Sequence, residues 1–157
     1  MTQPSASADR ERGYTLTRRF DAPRAVVWQA ITQPELFAQW FGAGTDGVDV
    51  HQWDLEPGGL WRATMRYQGN DMPWSGRFHE IDEPERLVWA FIDAGSIGDT
   101  FEVMTMTLTE DRGETELVLR QSGGSLSDEE YGRAKEGTGG FLDALADVVA
   151  RLNSERR

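Results

Sequence analysis

The sequence predicts an α+β chain: a curved antiparallel sheet of about seven strands wrapped around a long C-terminal helix, with two short helices between strands 1 and 2. Three observations carry this. Between residues 46 and 121 apolar positions recur every second residue, in six runs separated by Gly, Pro, Asn and Asp, and six strands joined by short loops form an antiparallel meander. Phe141, Leu145, Val148 and Leu152 then repeat at helical spacing. All six tryptophans fall between residues 28 and 89, so the inner face of the sheet is aromatic and must be covered. The terminal helix is the one amphipathic element long enough to do it.

Each element has its own signal. Tyr14, Leu16, Arg18 and Phe20 alternate with polar residues and predict a first strand. Asp21-Ala22-Pro23 puts proline where a first helical turn accepts it, and Val27 and Ile31 then share a helix face. Thr32-Gln33-Pro34-Glu35 has the spacing of a capping box, with Thr32 as N-cap of a second helix presenting Leu36, Phe37, Trp40 and Phe41. The strands are expected at Val48–Leu55, Leu60–Tyr67, Trp74–Ile81, Arg86–Asp93, Phe101–Thr109 and Thr115–Gln121. Ser127-Asp128-Glu129-Glu130 is another capping box, and its acidic residues suit a helix N-terminus. Gly132, Gly137, Gly139 and Gly140 interrupt the early part of that helix, each costing about 1 kcal/mol against alanine. They predict a kink or a close neighbour, and leave the helix's continuity open.

Composition sets the outer bounds. At 157 residues the chain fits one domain, expected at 14–153, with a flexible leader over 1–13 and a short tail over 154–157. The leader has neither a basic start nor an apolar core, so it does not read as a secretory signal. With no cysteine there is no disulfide framework, thiolate nucleophile or Cys-based zinc site. A cytoplasmic location is the default expectation. A net charge of -11 repels phosphate backbones and anionic lipid, so neither nucleic acid nor a membrane is an expected partner. No cofactor is expected. A homodimer through an edge strand or the helix is compatible with the chain but not indicated by it.

Ordered motifs resemble a known family. Phe20-Asp21-Ala22-Pro23, Val27-Trp28, Ala30, Thr32-x-Pro34 and Trp40 look like the opening of the START-like (SRPBCC, helix-grip) proteins. Within these they resemble the branch named after activators of the heat-shock protein 90 ATPase. Asp54-x-x-Pro57-Gly58-Gly59-x-Trp61, Gly76, Glu80-Ile81-x-x-Pro84-x-Arg86-Leu87 and Thr115-x-Leu117-x-Leu119 continue the pattern. Gly137, Leu142 and Leu145 fit the last helix of that branch, where a tryptophan usually follows the glycine; here Thr138 does. The resemblance implies a cavity between sheet and helix, enlarged or polarised by Thr138. Relatives bind lipids, hormones or polyketides, or act as cyclases or dehydratases, while the chaperone role belongs to longer proteins with an additional domain.

Strand parity names the candidate lining: Trp61 and Met65; Trp74, Phe78 and Glu80; Trp89 and Phe91; Met104 and Met106. Trp40, Thr138, Phe141 and Leu145 are expected to face them from the helices. Aromatics facing methionines suit a small hydrophobic or aromatic molecule as partner, although the same residues could simply make a core. On strict alternation Glu80 shares the aromatic face, where it would be a polar anchor or, in an enzyme of cyclase or dehydratase type, the acid/base group. His51 shares a face with Trp53, and His79 points outward. Two histidines without close-spaced partners and no cysteine do not make a metal site. A co-chaperone-like interaction domain is the third reading; it requires a filled interior and an exposed apolar patch.

Overall fold

The computed structural model describes residues 13–93, 102–122 and 127–155, with side chains at 92 and 93 left aside. The element order is β1 (Gly13–Phe20), α1 (Arg24–Thr32), α2 (Pro34–Phe41), β2 (Gly47–Trp53), β3 (Leu60–Tyr67), β4 (Asn70–Asp82), β5 (Arg86–Asp93), β6 (Glu102–Asp111), β7 (Glu114–Ser122) and α3 (Asp128–Glu155). The seven strands form one antiparallel sheet in the order β1-β7-β6-β5-β4-β3-β2, so the chain's first and second strands are the two edges. Helix α3 rests on α1, α2 and β1. Fold class and element order agree with the sequence reading. The leader expected over 1–13 lies outside the described residues up to residue 12, and Gly13 already belongs to β1.

Most element boundaries shift by one or two residues. Gln68 and Gly69, and again Arg112 and Gly113, take positive φ at adjacent positions, as tight two-residue hairpin turns demand. The β3–β4 turn is therefore shorter than Gly69-Asn70-Asp71, and β4 starts at Asn70. Ser127 and Glu130 form the expected capping box: the Ser127 N–H donates to Glu130 Oε1 at 2.8 Å, and the Glu130 N–H donates to Ser127 Oγ at 3.1 Å. These bonds hold the Glu130 carboxyl below its usual range. Thr32 does not cap α2. It closes α1, donating to the Trp28 carbonyl at 2.7 Å, and Gln33 takes the N-cap position without a side-chain bond.

The junction of α1 and α2 has a different fastening. Pro34 has no N–H to offer the Ala30 carbonyl, which would be left buried and unpaired. Trp40 supplies the donor from α2, its indole N–H meeting that oxygen at 3.0 Å. Trp53 of β2 does the same for the Thr32 carbonyl at 2.8 Å. Two tryptophans thus satisfy the C-terminal end of α1.

Helix α3 runs unbroken from 128 to 155, so the glycines neither end it nor divide it. A Cβ added at Gly132, Gly137 or Gly140 would meet open space, and nothing in the structure explains why glycine stands there. The helix buries a stripe of Tyr131, Thr138, Leu142, Leu145, Val148 and Val149. Its last turn includes Ser154 and Glu155, where a tail was expected.

Gly76 of β4 is required for a steric reason. The Trp61 indole of β3 lies across it and donates to the Ala90 carbonyl of β5 at 3.2 Å. A Cβ at residue 76 would overlap both that carbonyl oxygen and the indole nitrogen. Gly76→Ala should therefore lower the thermal midpoint by about 8 °C, corresponding to about 3 kcal/mol of overpacking. A midpoint within a degree of wild type in a calorimetric scan would show that the indole is not locked there. Ser127→Ala should speed amide hydrogen exchange at Glu130 and Tyr131 by about fivefold while leaving the sheet unchanged. Unchanged exchange at those two amides would remove the cap's role.

Candidate functional site

The strand register lays the inner face out in rows. Tyr14, Gln121, Met104, Trp89 and Phe78 face one another across β1, β7, β6, β5 and β4. Beside them run Glu102, Phe91, Gly76, Trp61 and Trp53, from β6 to β2. The sheet therefore has two ends. One carries Gly13, Ser122, Glu102 and Tyr67; the other carries Phe20, Thr115, Arg86 and Leu60.

The middle of the face is solid. Phe37 of α2 sits 4.7 Å from Trp53, 5.9 Å from Trp61 and 5.6 Å from Trp89, ring centroid to ring centroid. Phe78 stacks parallel to Trp89 at 6.0 Å. Phe37, Trp61, Phe78 and Trp89 are all 0% exposed. Edge-to-face and offset contacts of this kind add about 1 kcal/mol each beyond area burial. Met106 and Leu145 are as deeply enclosed, and Trp40 is buried behind them. These expected lining residues are core.

The face loosens toward the Tyr14–Gln121 end. Exposure rises to 6% at Tyr14, 7% at Thr138, 8% at Met104 and 9% at both Gln121 and Phe91. Trp74 and Phe141 are half-buried there, and Met65 is buried close by. Trp74 lies 5.6 Å from Phe41 and 6.4 Å from Phe91, and Phe41 lies 5.2 Å from Phe141. Beyond them Tyr67 and Met72, on the same inner face, are 42% and 37% exposed. Apolar side chains thus form a rim at this end.

The same end is polar in one strip. The Tyr14 hydroxyl donates to Gln121 Oε1, and Gln121 Nε2 donates to Glu102 Oε1 at 3.2 Å. Thr138 Oγ1 of α3 sits 2.6 Å from the Tyr14 oxygen. Burial pushes the Tyr14 phenol up to about 12, against a smaller lowering by the Thr138 hydrogen bond. It remains a neutral donor at any physiological pH. Among the described residues two buried indole N–H groups, those of Trp74 and Trp89, have no acceptor, an uncommon state for buried donors.

Two expectations fail for one reason. A β-bulge separates Phe78, opposite Trp89, from Glu80, opposite Val88. The extra residue reverses the alternation, so Glu80 emerges on the outer face and Ile81 takes the inward position opposite Leu87. Glu80 is exposed and pairs with Arg86 at 3.1 Å. It neither anchors an interior group nor provides acid/base chemistry there. A second bulge between Val50 and Gln52 puts His51 outside, bonded to Thr64 Oγ1 at 2.8 Å, while Trp53 points inward. His79 is exposed as expected. Among the described residues no group of acidic, His or Cys side chains could hold a metal, and no helix is long and apolar enough to cross a membrane.

Tyr14, Gln121 and Glu102 were absent from the expected lining, yet parity could have found them. Tyr14 alternates with Leu16, Gln121 with Leu119, and Glu102 with Met104. A separate open groove of about 410 Å³ lies over the β2 edge, between Pro34, Glu35 and Ala38 of α2 and Val48, Val50 and His51. Trp53, which lines this groove as well, packs on Phe37 at 4.7 Å.

Comparisons with known proteins agree with this architecture. A protein of Chromobacterium violaceum superposes with a TM-score of 0.78 at 22% identity, covering 88% of this chain and 96% of its own. One from Nitrosomonas europaea gives 0.74 at 23% identity over 96% and 99% of the two chains. One from Arthrobacter aurescens gives 0.79 at 17% identity over 89% and 87%. Such identities show the fold alone. No curated protein matches. The family model described as Activator of Hsp90 ATPase homolog 1-like protein matches residues 21–150, and the chain, with its START-like helix-grip fold, belongs to that family.

Proposed function

We propose that this protein binds a small apolar or aromatic molecule at the Tyr14–Gln121 end of the inner face, between the sheet and the first half of α3. The observation that carries this reading is the gradient along the face: aromatic rings closed at 0% exposure in the middle, and at one end a buried polar strip beside half-buried and exposed apolar side chains. A plain core has no use for that polarity. Burying a hydroxyl and an amide costs stability unless each is paired, and leucines at residues 14 and 121 would have packed more simply. Large aromatic area with a few polar groups is the usual make-up of a small-molecule pocket.

The walls are Met65, Trp74, Phe91, Met104 and Phe141. Methionines adapt to irregular contents, which suits a range of apolar shapes. Thr138 stands where relatives usually carry tryptophan, so the helix side is smaller and more polar here. Trp40, Trp61, Phe78, Trp89, Met106 and Leu145 act as the floor that fixes the depth of the site. With Glu80 on the outer face, nothing favours the cyclase or dehydratase reading.

Tryptophan emission, titrated with a library of apolar and aromatic compounds and paired with native mass spectrometry, tests this directly. Saturable quenching at one molecule per chain is expected. Met104→Trp, which fills the end without adding charge, should weaken binding by about tenfold or more while the protein stays folded. A library in which no compound quenches saturably would remove the proposal.

A further inference from the structure

Resting on that reading, we infer that the preferred ligand is an uncharged molecule carrying a hydrogen-bond acceptor of carbonyl type, a ketone, quinone or amide oxygen on an aromatic or alicyclic body. The direction of the polar strip leads there. The Glu102 carboxylate accepts from Gln121, which fixes the amide with its nitrogen toward Glu102 and its oxygen toward Tyr14. The Tyr14 proton therefore goes to Gln121, and the Thr138 hydroxyl donates in turn to the Tyr14 oxygen. Four residues from three strands and a helix form one chain of donors ending at a carboxylate.

What this chain leaves unpaired is one-sided. The second amide hydrogen of Gln121 has no acceptor among the described residues, and neither does the indole N–H of Trp74 or Trp89. Trp74 and Trp89 both pack on Phe91, at 6.4 Å and 4.9 Å, and Phe91 lies directly opposite Glu102 in the sheet. The groups lacking partners are thus all donors; that of Trp89 lies in the closed middle, which leaves Trp74 and Gln121 as the two at the loosened end. A guest that completes them brings oxygen lone pairs rather than a hydroxyl or amine.

Charge narrows the class. An anion would also supply acceptors, but it would sit beside the Glu102 carboxylate in a chain of net charge -11. Arg18, the cation on the same face of β1, is already paired with Asp143 at 3.7 Å. An unpaired carboxylate in such a site would carry a large desolvation cost. A neutral carbonyl meets the donors without it.

Three probes of one shape separate the cases: 9-fluorenone, fluorene, and fluorene-9-carboxylate, each measured by equilibrium dialysis. Fluorenone should bind about tenfold more tightly than fluorene, the return from one or two buried hydrogen bonds, and at least about tenfold more tightly than the carboxylate. Trp74→Phe and Gln121→Leu should each shrink the ratio of fluorenone to fluorene affinity several-fold, whatever either does to fluorene binding itself. The half-buried Trp74 makes the first variant safe for folding even if the second is not. Equal binding of fluorenone and fluorene, a preference untouched by either variant, or tighter binding of the carboxylate would overturn the inference while leaving the binding site standing. If none of the three binds, the inference falls, and the library titration decides the site.

Discussion

The aromatic layer in which Phe37 touches Trp53, Trp61 and Trp89 is the constraint from which the rest of this structure follows. It fixes three things at once. It joins α2 to three strands of the sheet, and it places the Trp61 indole over Gly76, so β4 must have no side chain there. It also fills the inner face from the β2 side. Rings at centroid distances near 5–6 Å leave no room for a molecule of their own size.

The tryptophans divide by what their N–H groups do. Trp40, Trp53 and Trp61 each satisfy a backbone carbonyl, and two of these carbonyls belong to the end of α1, one of them left without a partner by Pro34. These are fasteners, with their polar atoms committed to the fold. Trp74 and Trp89 bury the same group with no acceptor among the described residues. Of that pair Trp89 lies in the closed middle of the face, and Trp74 is half-buried at its rim.

Most of the architecture was legible in the residues. Period-two runs between Gly and Pro clusters marked the strands, and the Phe141, Leu145, Val148, Leu152 repeat marked α3. The bulges were not legible, because alternation assumes a regular ladder and nothing in Phe78-His79-Glu80 or Val50-His51-Gln52 announces an extra residue. Strict alternation therefore points Glu80 inward, whereas the bulge sets it on the outer face beside Arg86. Thr32 misled differently: its spacing to Glu35 fits a capping box, but a threonine at a helix C-terminus can as well bond back to the carbonyl four residues earlier. The polar strip could have been read. Tyr14, Glu102 and Gln121 sit in phase with apolar neighbours already assigned to the inner face, but each stands at a strand end, where polar residues ordinarily meet solvent. Thr138 was marked by its departure from the family pattern, and its bond to Tyr14 gives that departure a physical content.

The proposed site requires an inner face that is solid in the middle and leaves apolar space at the Tyr14–Gln121 end. Crystals of the unliganded protein pressurised with xenon test this most directly, because xenon enters apolar space that protein atoms leave empty. The account predicts xenon density against Met104, Phe91 and Phe141, and none among Phe37, Trp61 and Phe78. Density among those three rings, or none anywhere between the sheet and α3, would contradict it.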